Sequence, residues 1–240
     1  MRIDGVPLQP GRATGPVRLA PEFATSVPEG AILALQQWSP PEDRAPTFAG
    51  LVLESRTTEA ALPARPAVGG VDLDLLRDGE AVSIDGDVGT VEIEGIQVVP
   101  VVTSFLEAPD GRILLLRRSE KVGTFRGRWA GVSGFLEEPT PLDQALREIV
   151  EETGVAPSEL RLVHQAPPVY ARDGDRLFVV HPFRFRVSTE SIRLDWEHTE
   201  FEWVHPSEIR QRSTVPKLDR AWTAVAEGPS AGASTARQKR

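Results

Sequence analysis

The sequence predicts an α/β protein: a mixed sheet covered by helices, preceded by a small strand-rich domain. Three observations carry this. From Ile96 onward the apolar patterns run strand, strand, long loop, helix, three strands and helix, an order that suits a mixed sheet with helical layers. Before Glu94-Gly95 the chain is rich in Pro, Gly and Ala and breaks into short apolar runs with few helical signals. Finally, 240 residues with 40% hydrophobic content suffice for one large or two small domains, at roughly 150 residues each, that need no covalent staples.

In the first domain, residues 1–95, the runs at 31–35 and 50–53 read as strands. Residues 81–84 and 89–93 alternate apolar and polar side chains around Asp85-Gly86-Asp87-Val88-Gly89, the pattern of a hairpin. Residues 59–64 could form one short helical turn. In the second domain, residues 96–226, strands are expected at 98–106 and 112–118 around a Pro109-Asp110-Gly111 turn. A loop bearing Lys121, Arg126 and Arg128 then leads to Trp129. The clearest helix follows. Thr140 suits the N-cap, Pro141 the first helical position and Asp143 a capping-box partner. Leu142, Ala145, Leu146 and Ile149 share one face, and Gly154 marks the stop. Strands are expected at 160–165, 177–187 and 201–204, with Asp173-Gly174-Asp175 turning before the second, and a closing helix at 216–226. Residues 227–240, small, polar and basic at the end, read as a disordered tail.

Charge and composition exclude several classes. With 27 basic against 35 acidic residues the net charge is −8, which opposes binding to a nucleic-acid polymer, since phosphates require a basic face. There is no cysteine, hence no disulfide framework, zinc ribbon or thiol nucleophile. The four histidines, His164, His181, His198 and His205, are scattered, against a His-rich zinc site. No apolar run approaches the roughly 18 residues of a membrane span, and the first residues carry no signal-peptide core. A soluble, cytoplasmic protein without a membrane partner is expected.

The chemistry concentrates on the polar side of the capped helix. Glu148, Glu151 and Glu152 stand at i, i+3 and i+4 beside Arg147. Like charges at this spacing cost a helix a few tenths of a kcal/mol per pair, and a hard divalent cation, whose preferred ligands are carboxylate oxygens, offsets that.

The stretch from Gly134 to Val155 resembles the Nudix box of the Nudix hydrolases: a Gly, five residues, Glu, seven residues, then Arg-Glu-aliphatic-x-Glu-Glu-x-Gly-aliphatic. Every defined position from Arg147 to Val155 matches. The first half departs. Counting back from Arg147 puts the pattern's Glu on Pro139 and its Gly on Ser133; anchoring on Gly134 puts that Glu on Thr140 and leaves the segment one residue short. Arg117-Arg118, Gly127-Arg128-Trp129 and Glu197-His198-Thr199-Glu200-Phe201-Glu202-Trp203 extend the likeness over residues 97–226.

The resemblance implies a Nudix α/β/α sandwich that hydrolyses a nucleoside diphosphate linked to another moiety, with Mg²⁺ or Mn²⁺ as cofactor and a small-molecule nucleotide as its partner. It implies Glu148, Glu151 and Glu152 as metal ligands with the backbone of Ser133, Arg147 as the residue that orients the glutamates, and Glu197 or Glu152 as general base. Arg118 and Arg128 are candidate phosphate contacts, as are Arg117, Lys121 and Arg126; the alternative for each is an ordinary surface charge. Trp129 stacks on a base or packs against the sheet, and Trp203 likewise. A catalytically weak or inactive nucleotide-binding module is the rival to the enzyme.

The N-terminal domain is similar to the swivelling β/β/α domain of PEP-utilising enzymes at Gly11-Arg12-Ala13-Thr14-Gly15-Pro16-Val17, Ser39-Pro40-Pro41-Glu42 and residues 78–89. That family's phosphate-accepting His is missing from residues 56–65, and no His precedes His164. A binding, lid or dimerisation role, the last implying a homodimer, stands beside that of a structural appendage.

Overall fold

The apolar runs near the N-terminus become inner strands buried on both faces. The computed structural model describes residues 1–20, 27–39 and 47–227; Pro40, Pro41 and Glu42 and the tail 228–240 lie outside the described residues. The chain divides into two compact units, Met1–Gln97 with Gly174–Arg176, and Val98–Asp173 with the residues from Leu177 on.

The first unit holds β1 (Arg2–Asp4), β2 (Val6–Gln9), β3 (Arg12–Leu19), β4 (Ile32–Leu35), β5 (Gly50–Leu53), β6 (Ala67–Gly69), β7 (Ala81–Asp85) and β8 (Thr90–Ile93), in sheet order β1-β8-β7-β3-β4-β5-β6-β2. β3 to β6 pair in parallel, and the remaining neighbours are antiparallel. Parallel inner strands read as unbroken apolar runs because both faces are covered: Ile32, Ala34 and Val52 enter one core, Leu33, Leu35, Leu51 and Leu53 the other. The expected hairpin is β7–β8, its turn held by the Asp85 carboxylate, which accepts from the Asp87 N–H at 3.0 Å. Residues 59–64 form no helical turn; among the described residues of this unit the only helical turn is the 3₁₀ segment Leu73–Leu75.

The second unit holds β9 (Gln97–Glu107), β10 (Ile113–Arg118), β11 (Trp129–Ala130), β12 (Val132–Phe135), α1 (Pro141–Thr153), β13 (Leu160–Gln165), β14 (Val169–Asp173), β15 (Arg176–Val187), β16 (His198–Val204) and α2 (Leu218–Ala226). The sheet runs β11-β10-β9-β15-β13, with β12 on β9, β14 on β15 and β16 on β10. Alternation along β10 divides the two layers: Leu114 and Leu116 pack with Ala145 and Ile149 of α1, while Ile113 and Leu115 pack with Leu218, Ala221 and Val225 of α2. A mixed sheet thus lies between two helices, an α/β/α sandwich. No described helix is long and apolar enough to cross a membrane.

α1 begins and ends where its caps dictate. Thr140 Oγ1 accepts from the Asp143 N–H at 3.2 Å, Pro141 fills the first turn, and Gly154 closes the helix at φ 69°, a left-handed conformation in which a Cβ is strained. The closing helix starts at Leu218, two residues later than Pro216, after Lys217 turns through φ 61°.

Candidate active site

The β9–β12 ladder brings the residues before α1 against that helix. Ser133 pairs with Thr103 in register, their hydroxyls 3.0 Å apart, and the Ser133 N–H donates to Glu152 Oε2 at 3.3 Å. Gly134 follows, and a Cβ there would lie 1.9 Å from Glu148 Oε1. The glutamate occupies the space a side chain would need. Gly134→Ala is therefore expected to displace the Glu148 carboxylate and, at the metal site that the sequence resemblance implies, to weaken binding by about 10–100-fold, the range for lost support of a ligand. Calorimetric Mn²⁺ titration checks this, and wild-type affinity would refute it.

Around α1 the charges are engaged. Arg147 Nε donates to Glu151 at 2.9 Å, and its Nη1 reaches Glu138 at 3.1 Å and Glu137 at 3.4 Å; bonds to Glu151 and Glu138 raise its pKa and keep it cationic. Gln144 donates to Glu148 at 2.6 Å. Glu152, 2% exposed, is buried behind Glu148.

The fourth carboxylate comes from the segment that enters β16. β10 pairs with β16 up to Arg118 opposite His198, with a shift of register between Arg117 and Arg118, and the Ser119 N–H holds the Glu197 carbonyl at 2.7 Å. Such bulges re-aim side chains. The Asp195 carboxylate accepts from the Glu197 N–H at 3.0 Å and lies 3.2 Å from His198 Nδ1. His198 Nε2, buried without a hydrogen bond, is 3.9 Å from Glu152 Oε2. Burial holds the His198 pKa below its usual range, against the pull of Asp195.

A cleft of about 300 Å³ collects these groups: Glu137, Glu148, Glu151 and Glu197, with Arg118, Arg147 and Ser133. Burial, then the neighbouring carboxylates, pushes Glu148 up; burial and Glu148 push Glu152 well up; burial and Asp195 push Glu197 up. Among the described residues no three Asp, Glu or His side chains converge as a ligand set; Glu148 and Glu151 are held in hydrogen bonds to Gln144 and Arg147.

The structure brings Arg118 to the cleft but neither Arg128 nor Trp129. Those two latch neighbouring backbone instead. Trp129 exchanges hydrogen bonds with Ser213 (3.0 Å) and Val215 (2.9 Å), Arg128 donates to the Thr214 carbonyl at 3.1 Å, and Arg212 lies over the indole at 5.2 Å. Trp203 packs against the α1 core. Of the other candidate cations, Arg117 of β10 pairs with Glu200, and Arg126 of the loop donates to the Val122 carbonyl at 2.8 Å.

The aromatic wall is made by residues the sequence did not single out, Phe125 and Phe178, with ring centroids 5.7 Å apart. Phe125 (φ 51°) and Lys217 (φ 61°), the two non-glycine residues with positive φ among the described residues, both line the cleft. Backbone strain of this kind clusters at functional sites. No periodicity marks Phe125, and Phe178 reads as one more apolar residue of a strand.

The NUDIX domain family model matches residues 98–225. Among solved structures, the MutT protein from Methanosarcina mazei Go1 is similar at 25% identity, covering 54% of this chain and 91% of that one, with a TM-score of 0.46. The E. coli ORF135 protein is similar at 24% identity (58% of this chain, 99% of that one, TM-score 0.44). A C. elegans Ap4A hydrolase is similar at 13% identity (54% and 94%, TM-score 0.45). No curated protein matches the chain.

Proposed function

Because the chain belongs to the Nudix family through residues 98–225, we propose that it is a divalent-metal-dependent pyrophosphohydrolase acting on a nucleoside diphosphate linked to another moiety. One observation carries the reading: Glu148, Glu151 and Glu197 line one cleft with Glu152 behind, and Glu148, Glu152 and Glu197 each have pKa values raised by burial first and by neighbouring carboxylates in addition. A cluster that repels itself is a cluster suited to a cation. Its donors are oxygens only, the chemistry that Mg²⁺ or Mn²⁺ selects. Glu148, Glu151 and Glu152, with the Ser133 carbonyl, would hold the metal.

When bound, such an ion supplies charge neutralisation at the diphosphate and a water of lowered pKa. The chain's own residues do the rest. Arg147 orients Glu151 and the 137–138 loop through its ion pairs, Glu197 takes the proton of the attacking water, and Arg118 faces the phosphates. Phe125 and Phe178 offer the substrate's flat or apolar part a surface on which to stack.

The test is nucleotide or phosphate release from ADP-ribose, dinucleoside polyphosphates, NADH, deoxynucleoside triphosphates and nucleotide sugars, with Mg²⁺ and with Mn²⁺. Metal-dependent release from one class is expected, and silence across the panel would overturn the reading.

A pH dependence follows from the same carboxylates. Each binds its proton more tightly folded than unfolded, so its stabilisation is full below the unfolded value near 4.5 and is lost as pH rises through the raised folded value. The melting temperature of the metal-free protein should fall as pH rises from 4.5 toward neutral, and millimolar Mg²⁺ should reverse the loss by mass action. Calorimetry at a series of pH values checks both; a metal effect equal at every pH would contradict the assignment.

A swivelling phosphate carrier would need its acceptor histidine. With none before His164, we assign the first unit no phosphoryl transfer by that chemistry.

A further inference from the structure

Gln144 is 1% exposed, one helical turn before Glu148. Its Nε2 donates to Glu148 Oε1 at 2.6 Å, and its Oε1 accepts from the backbone N–H of Glu137 at 2.8 Å and of Glu138 at 2.9 Å. Only one amide orientation works, since the exchanged one would set its NH₂ against two N–H donors. One buried side chain thus ties the loop before α1 to a carboxylate of the cleft.

The tie falls where the family pattern fails. Pro139 stands at the pattern's first glutamate and has neither a carboxylate nor an N–H. Beside Glu151, the carboxylates that meet Arg147 come from the two preceding residues, Glu138 at 3.1 Å and Glu137 at 3.4 Å. Both residues have their backbone N–H held by Gln144. The amide holds the loop so that Glu138 reaches the arginine.

We propose that Gln144 is a positioning residue, orienting Glu148 within the cleft and clamping residues 137 and 138 so that Glu138 pairs with Arg147. The proposal rests on the pyrophosphohydrolase reading and deepens it. Gln144 acts through Glu148 and Glu138 and lies outside the lining of the cleft.

Two variants separate its bonds. Gln144→Met keeps the volume and loses all three; Gln144→Glu keeps an acceptor for both loop N–H groups but turns a carboxylate toward Glu148. Three readouts apply to the full chain: Mn²⁺ affinity without substrate, hydrogen exchange of the Glu137 and Glu138 amides, and kcat against KM on the compound that wild type cleaves. In Gln144→Met, Mn²⁺ affinity and kcat are each expected to fall about 10–100-fold with KM within about threefold, and both amides lose protection. In Gln144→Glu the amides stay protected while Mn²⁺ affinity and kcat still fall.

Wild-type Mn²⁺ affinity in both variants would overturn the proposal, and so would unchanged protection of both amides in Gln144→Met. If Gln144→Met does not fold, Gln144→Glu decides: protected amides with weakened Mn²⁺ binding support it, and intact Mn²⁺ binding overturns it. A wild type that cleaves nothing in the panel sinks the hydrolase reading, and the Mn²⁺ and exchange measurements still decide Gln144.

Discussion

Glu152→Gln is expected to lower metal-dependent turnover by at least about 10²–10³-fold while leaving the metal-free protein as stable as wild type or more so. Glu152 is almost fully buried, its pKa pushed well up by burial and by Glu148. The glutamine has the shape of the protonated acid, removes the like-charge repulsion, and still accepts from the Ser133 N–H as Glu152 Oε2 does at 3.3 Å. What it cannot supply is an anionic oxygen for a cation. The measurement is kcat beside the melting temperature with and without Mn²⁺: turnover lost, metal-free melting preserved, metal stabilisation reduced. Wild-type turnover would remove Glu152 from the machinery. A wild type that cleaves none of the panel yet melts higher with one of its nucleotides would favour the nucleotide-binding module instead.

What could be read from the sequence was whatever leaves a local signature. α1 announced itself through Thr140, Pro141, Asp143 and Gly154, and its observed span, Pro141–Thr153, lies between those caps. The strand pattern at 160–165 is β13, Leu160–Gln165. β11 and β12 went unread because they are two and four residues long and interrupted by Gly131 and Gly134, so no period can build up; only pairing with β10 and β9 makes them strands. β1 and β6, three residues each, were too short in the same way, and Pro7 breaks the pattern of β2. In the site, the glutamates of α1 were legible because helical spacing is fixed. Glu138 was not, because counting along a pattern cannot register that a loop side chain nine residues before Arg147 folds back to reach it. Arg128 and Trp129 were candidates for the substrate by residue type, yet they bond to residues 213–215, a pairing between segments some 85 positions apart that local patterning does not encode. Phe125, at φ 51°, enters the cleft through a backbone conformation that its residue type disfavours.

The choice between Glu152 and Glu197 as general base, open from the sequence, is settled by experiment on the second of them. Glu197→Gln is expected to cost about 10²–10⁴-fold in kcat, the usual worth of a positioned base, with Mn²⁺ affinity largely kept. A base must reach the water whose proton it takes. Glu197 lines the cleft, whereas Glu152 lies behind it and its Oε2 faces the Ser133 N–H. The Glu197 backbone is fixed at both ends, N–H to Asp195 at 3.0 Å and carbonyl to the Ser119 N–H at 2.7 Å, so its carboxylate is aimed rather than loose. Burial and Asp195 raise its pKa while the Arg118 charge opposes them, and a raised pKa makes a stronger base nearer to neutral pH. The wild-type profile of log kcat/KM should therefore fall on its acidic side as Glu197 takes up a proton, at a pH above the usual carboxylate value of 4.5. In Glu197→Gln that limb should flatten, leaving a low residual rate that no longer depends on this proton. An acidic limb kept in Glu197→Gln, together with near-wild-type kcat, would assign the base elsewhere. If the limb then vanished in Glu152→Gln while Mn²⁺ still bound, the buried glutamate would take the role.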